Sequence, residues 1–121
     1  MASKTFSIES YEREADKLYK SYKIRVDEDT IVTLYNPIRI SEENRSRLFE
    51  IVPLLDTGEG EFTAEKMKVV APLVLEILEL VGDDNVEKLI ARIRNDLSVT
   101  MSVFQDYFKE IGLGDPSSSE S

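Results

Sequence analysis

One segment near the middle of the chain restricts the fold more than any other. Residues 64–81 read AEKMKVVAPLVLEILELV, and after Lys68 apolar side chains occupy nearly every side of a helix drawn through them. A helix that is apolar all round must be covered by neighbouring elements on several sides. The pattern therefore predicts a central helix over 63–81. Thr63 is expected to cap it, and Gly82 to end it in the left-handed conformation that glycine favours.

Four further segments carry apolar residues on one face only, which is typical of helices that cover a core. The first of them has Ile8, Tyr11, Ala15 and Leu18 at helical spacing. After it, apolar and polar residues alternate on both sides of an acidic turn, and this pattern predicts a β-hairpin. In chain order, the predicted elements are helix 8–19, hairpin 22–35, and helices 41–52, 63–81, 85–94 and 97–111.

This order predicts a mainly α fold, a helical domain of about four to five helices with a small N-terminal β-hairpin. We expect a single α-rich domain over 1–111, followed by a flexible polar tail at 112–121. The expected core takes residues from the hairpin and from each helix after the first: Ile24, Val26, Val32, Leu34, Leu48, Val52, Val70, Leu73, Val74, Ile77, Leu78, Leu89, Ile93, Leu97, Phe104 and Phe108.

The composition removes the usual means of catalysis. The chain has no cysteine and no histidine. It therefore lacks the commonest general base, the most reactive nucleophile and the commonest metal ligand. We expect that the protein is not an enzyme and that it holds no cofactor and no metal.

Charge and hydropathy limit the partners as well. Residues 41–121 hold 17 acidic and eight basic residues, which accounts for the whole net charge of −9. Such a surface repels nucleic acid and anionic membranes. No apolar run reaches the roughly 18 residues that a membrane span needs, and the N-terminus lacks the apolar centre of a signal peptide. We expect a cytoplasmic protein that binds neither nucleic acid nor membranes.

Two alternative functions rest on the acidic residues. Glu76 and Glu79 lie on one helix face and could share a divalent metal, as in helical pyrophosphohydrolases, but the second acidic pair that those enzymes need is missing. An acidic inhibitor or adaptor that imitates DNA is the other alternative. It requires carboxylates spaced along one face like phosphates, whereas most acids here lie at predicted caps, turns and alternate helix faces.

The last predicted helix carries the strongest candidate for a partner-binding surface. Met101, Phe104, Tyr107 and Phe108 lie on its apolar stripe. Methionine and aromatic side chains dominate the energetics of many interfaces. The same stripe also fits burial in an ordinary core, so the spacing leaves both interpretations open.

Nearly the whole chain resembles the tail assembly chaperones of long-tailed, siphovirus-type phages, particularly those that infect Actinobacteria. The resemblance is carried by the N-terminal FSIESYEREADKLY, the hairpin segment IRVDEDTIVTLYNPIRIS and the late segment NDLSVTMSVFQDYF. The end of the chain, GLGDPSSSES, is similar to the LGEA-type end with serines in that family. These motifs are patterns of residue type, not catalytic signatures.

The resemblance implies a specific function. Proteins of this family are made from two overlapping frames, and this chain would be the short form of the frameshifted pair. Both forms hold the tape measure protein, a long, apolar and largely helical client, until tail-tube subunits polymerise around it. The resemblance also implies absence from the mature virion. We further expect self-association, association with the frameshift-extended form and a place in the host cytoplasm. A DNA mimic or another small phage-encoded inhibitor or adaptor remains the alternative.

Overall fold

Five α-helices and a two-stranded antiparallel sheet make up the described part of the chain, which is residues 5–55 and 63–111 of the computed structural model. In chain order the elements are α1 (Ile8–Leu18), β1 (Tyr22–Asp27), β2 (Thr30–Leu34), α2 (Glu42–Ile51), α3 (Ala64–Val81), α4 (Val86–Ile93) and α5 (Leu97–Ile111). Short 3-10 turns at Pro37–Arg39 and Val52–Leu55 lie on either side of α2. The predicted fold class is confirmed. The predicted tail at 112–121 lies outside the described residues.

Short polar side chains begin most of the helices. Ser7, Ser41 and Thr63 each accept a hydrogen bond of 3.1–3.2 Å from the backbone N–H three residues later. Asp96 accepts two bonds at the start of α5, from the backbone N–H groups two and three residues later. Each bond satisfies a donor that the first turn of a helix leaves without an intrahelical partner. Asn85, before α4, forms no side-chain cap bond.

The hairpin is joined to the helices by backbone hydrogen bonds. The N–H of Tyr35 donates to the Val81 carbonyl at 2.8 Å, and the N–H of Asp83 donates to the Thr33 carbonyl at 2.9 Å. These bonds place β2 between β1 and the connection from α3 to α4. A lone hairpin is marginal in water, so this attachment is a main source of the hairpin's stability.

The core surrounds α3, as the all-round apolar surface of that helix predicts. Helices α2, α4 and α5 pack against it, and the inner face of the hairpin joins the same cluster. Among the described residues, no helix is both long and apolar enough to cross a membrane. The predicted core residues that are buried are Val32, Leu34, Leu48, Val70, Val74, Ile77, Leu78, Leu89, Ile93 and Phe104.

The remaining predicted core residues lie at the margin of this cluster. Ile24, Val26, Val52, Leu73, Leu97 and Phe108 are half-buried. Several buried residues were not predicted, namely Ile51, Ala71, Val81, Val86, Ile90, Met101 and Tyr107. Most of these extend a predicted stripe by one turn or widen it, because neighbours cover a helix face more completely than a narrow stripe suggests.

Gly82 ends α3 for a different reason from the predicted one. Its backbone has φ −84° and ψ 161°, an extended conformation that any residue can adopt. The predicted left-handed end is therefore wrong. A Cβ atom at this position would collide with the Val86 side chain and lie 2.8 Å from the Leu78 carbonyl oxygen. Glycine is required here because there is no room for a side chain. Residue 82 pairs with Leu34 of β2 at the point where the chain passes from α3 to α4.

Candidate partner-binding surface

The four residues predicted to bind a partner lie together on α5, mostly inside the core. Met101, Phe104 and Tyr107 are 9%, 7% and 0% exposed, whereas Phe108 is half-buried. The ring centroids of Phe104 and Phe108 are 4.4 Å apart. Their stripe packs towards α3, since helical spacing suits a buried face as well as a binding face. Three of these side chains are thus covered within the monomer, and partner contact through the four residues stays a prediction.

Tyr107 joins α5 to the hairpin. Its hydroxyl donates a hydrogen bond of 2.6 Å to the Tyr35 carbonyl, and its ring centroid lies 6.4 Å from that of Tyr22. Burial raises the pKa of Tyr107 well above its ordinary value, because the phenolate would lose its hydration in the core. The hydroxyl therefore remains a donor at neutral pH, which indicates a structural role for this residue.

Exposed apolar surface is concentrated on α1. None of its residues is buried, and Ile8, Tyr11 and Leu18 are 71%, 60% and 66% exposed. Ala15 lies on the same face and is half-buried. We call Ile8, Tyr11, Ala15 and Leu18 the α1 seam. An amphipathic helix normally covers such a face with neighbouring elements, so the seam is the surface of the described chain best suited to a partner.

Exposed large apolar side chains elsewhere are more scattered. Phe6 and Tyr19 extend the exposed apolar surface at the two ends of α1. The others in the described residues are spread over the hairpin and the remaining helices and turns: Ile31, Tyr35, Ile38, Phe49, Leu54, Val69 and Val99. Isolated apolar side chains are normal on protein surfaces, whereas a contiguous row is characteristic of an interaction site.

Polar contacts connect α1 to the rest of the molecule. Arg39 donates a hydrogen bond of 2.7 Å from Nη1 to Oδ1 of Asp16. A cavity of about 420 Å³ lies beside this pair. It is lined by Asp16, Tyr19, Ser21, Lys23, Thr33, Tyr35 and Arg39. Small-molecule pockets are mostly apolar, so this polar lining does not favour a ligand site. The cavity instead separates the C-terminal end of α1 from the outer face of the hairpin.

Sequence reasoning identified the seam residues as helical but assigned partner binding to α5. The interval between the apolar residues of α1 alternates between three and four, a spacing typical of a helix that pairs with one other helix. The stripe of α5 that joins the core has the same alternation, so the spacing does not distinguish the α1 seam from it: Leu97, Met101, Phe104, Phe108 and Ile111. The apolar residues of α3 cover a much broader face, as expected for a helix with several neighbours.

The pair Glu76 and Glu79 is not arranged as a metal site. The Glu76 carboxylate accepts two hydrogen bonds from Arg47, 2.7 Å from Nε and 3.1 Å from Nη2. In residues 5–55 and 63–111, no group of three or more Asp, Glu, His or Cys side chains could hold a metal ion. Asp16 is likewise paired with an arginine. The pairing of Glu76 with Arg47 does not favour a metal hydrolase.

Replacing Glu76 with glutamine is expected to reduce the loss of stability in acid. Hydrogen bonds from Arg47 lower the pKa of Glu76, and the positive charge of Arg47 acts in the same direction. A carboxylate with a lowered folded-state pKa stabilises the fold above its unfolded-state pKa. That contribution is lost as the pH falls through the folded-state pKa. The effect should be small, because the pair is partly exposed and solvent screens it.

The measurement is the urea midpoint of each protein from neutral to strongly acidic pH. The control is Glu79→Gln, one turn further along α3, which removes a carboxylate without removing the hydrogen bonds to Arg47. Equal acid sensitivity of the wild type and the Glu76→Gln variant would contradict the prediction.

Comparison with known proteins identifies the family. A family model described as mycobacteriophage tail assembly protein matches residues 1–116 of the 121-residue chain. No curated protein and no solved structure matches the chain. The resemblance to phage tail assembly proteins is thus confirmed over nearly the whole length. The chain belongs to the mycobacteriophage tail assembly protein family.

Proposed function

We propose that the protein is a tail assembly chaperone that binds the tape measure protein and keeps it soluble while the phage tail is built. Membership of a tail assembly family supports a role in this process. The exposed α1 seam is the observation that carries the binding part of the proposal, because a chaperone must present apolar surface to an apolar helical client. The net charge of −9 would keep the complex from aggregating.

The proposed role is non-enzymatic and needs no cofactor. The lack of histidine and cysteine supports this, since the chain is without the side chains that most catalysts use. In this scheme the protein acts in the host cytoplasm, associates with further copies and with its extended form, and is not retained in the mature virion.

Synthesis as the short form of a frameshifted pair is part of the proposal. Residues 112–121 are rich in Gly, Pro and Ser, a composition that suits a flexible connection to an added C-terminal segment. The nucleotide sequence around codons 110–121 tests this directly. A slippery heptamer followed by an overlapping open frame is expected, and a single frame with neither feature would refute the frameshift.

Co-expression with the tape measure protein of the same phage tests the chaperone function. Alone, the tape measure protein is expected in the insoluble fraction, and with this protein its soluble fraction should rise several-fold. The two proteins should also co-purify. The control is an unrelated acidic helical protein of similar size. Equal solubility of the tape measure protein with this protein and with the control would rule out the proposed function.

A further inference from the structure

The α1 seam has the geometry of one half of a helix pair. Its apolar residues, Ile8, Tyr11, Ala15 and Leu18, follow the three-four-three spacing that places apolar side chains along a single line. Ser7 caps the helix with a hydrogen bond of 3.2 Å from the N–H of Ser10. The seam is therefore presented on a defined helix, and none of the residues of that helix is buried by the rest of the described chain.

Acidic residues lie along both sides of the seam. At 100° per residue, Glu12 and Glu14 project about 80° to either side of the seam's centre line. Neither forms an ion pair within the described residues. The basic residues Arg13 and Lys17 project about 140–180° away from the centre line, on the opposite side of the helix. A partner helix would thus meet an apolar line with negative charge on both margins.

This charge pattern disfavours a second copy of the chain as the occupant. In an antiparallel pair of α1 helices, Glu12 would face Glu12 and Glu14 would face Glu14, and like charges at these margins oppose pairing. In a parallel pair no lysine or arginine would face either residue.

We propose that the α1 seam is the docking site for an amphipathic helical segment whose apolar stripe is bordered on both sides by lysine or arginine. Such a segment would cover Ile8, Tyr11 and Leu18 and place its positive charges against Glu12 and Glu14. Opposite charges at the margin of an interface raise the association rate and select the partner. That the segment belongs to the tape measure protein rests on the proposed function, whereas its chemistry follows from α1.

Binding of designed peptides of about 20 residues to the full-length protein tests whether the α1 seam prefers a basic amphipathic helix. One peptide carries a leucine stripe with lysine on both margins, and its match carries glutamate at the same positions. Fluorescence anisotropy should show at least about tenfold tighter binding of the lysine peptide, from opposite rather than like charges at the margin. The variant Glu12→Lys/Glu14→Lys should reverse this preference. Glu28→Lys/Glu79→Lys, with the same change in net charge away from the seam, should retain it.

Removing the apolar line should abolish binding of the lysine peptide. Tyr11→Ser/Leu18→Ser is expected to lower its affinity at least about tenfold while leaving the thermal unfolding midpoint nearly unchanged, since both side chains are exposed. Hydrogen exchange should show fast-exchanging α1 amides that become protected when the lysine peptide binds. Unchanged affinity in the serine variant, or equal binding of the two peptides, would overturn the proposal.

The proposal can fail separately from the proposed function. If the wild type is a dimer that Ile8→Ser/Leu18→Ser converts to a monomer, a second copy covers the seam and the docking proposal is wrong. If the seam variants solubilise the tape measure protein as well as the wild type, the chaperone function stands but its docking site lies elsewhere. If the lysine peptide binds at α1 and the tape measure protein is never solubilised, the docking site stands and the chaperone function fails.

Discussion

Replacing Tyr107 with alanine is expected to lower the free energy of unfolding by about 3–5 kcal/mol, as for other large aromatic residues removed from a core. The side chain is 0% exposed and its ring contacts those of Tyr22 and Phe108. The variant would leave a cavity between α5 and β1 and remove the hydrogen bond to the Tyr35 carbonyl. Urea unfolding followed by circular dichroism measures the change.

Two further variants separate the contributions at this position. Tyr107→Phe keeps the ring and loses only the hydrogen bond, so the expected loss is about 1 kcal/mol. Tyr11→Ala is the control on an exposed tyrosine, and its effect should stay within about 0.5 kcal/mol. If Tyr107→Ala were no more destabilising than Tyr11→Ala, Tyr107 would lie at the surface, and α5 would be available to a partner after all.

Replacing Gly82 with alanine is expected to destabilise the fold by about 3 kcal/mol, the upper part of the range for overpacking a core. The added methyl group would meet the side chain of Val86 and the carbonyl of Leu78. Val86 is itself only 6% exposed, so the residues packed around it limit how far its side chain can shift. Thermal and urea unfolding give the change, with the exposed Asp84→Ala in the same connection as a nearly neutral control.

A double-mutant cycle tests the cause of this effect. If space is limiting, Gly82→Ala combined with Val86→Gly, which removes both the Cβ and the Cγ2 that an added methyl group would meet, should be less destabilising than the sum of the single changes by about 1 kcal/mol or more. If the backbone conformation were limiting instead, trimming Val86 would recover nothing. Additive single changes would therefore contradict the steric explanation and favour a conformational role for the glycine.

Local patterns predicted the elements well because the forces behind them act over a few residues. The segment predicted as helix 97–111 is α5, since it contains an apolar stripe and directly follows the Asp96 cap. Val32 and Leu34 are buried while Ile31 is exposed, as the two-residue period of a strand requires. The central place of α3 also followed from its own composition.

Patterns within a helix do not show which face another element will cover. Tyr107 and Leu18 both lie on regular apolar stripes, yet one is fully buried and the other is 66% exposed. The difference arises from tertiary contacts, because α3 and the hairpin cover α5 while a polar cavity lies beside α1. The exposed apolar surface on α1 can therefore be identified only from the arrangement of the helices, not from the sequence pattern of any one of them.

The position of β2 has a consequence for the timing of events during translation. Its bond to Asp83 spans 50 residues of chain, and the bond from Tyr107 to the following residue, Tyr35, spans 72. On the ribosome the two strands emerge before these later segments, which complete their contacts. Closure over the strands therefore waits until α5 has been made, and a nascent chain halted before α5 retains an uncapped Tyr35 carbonyl and an open inner face.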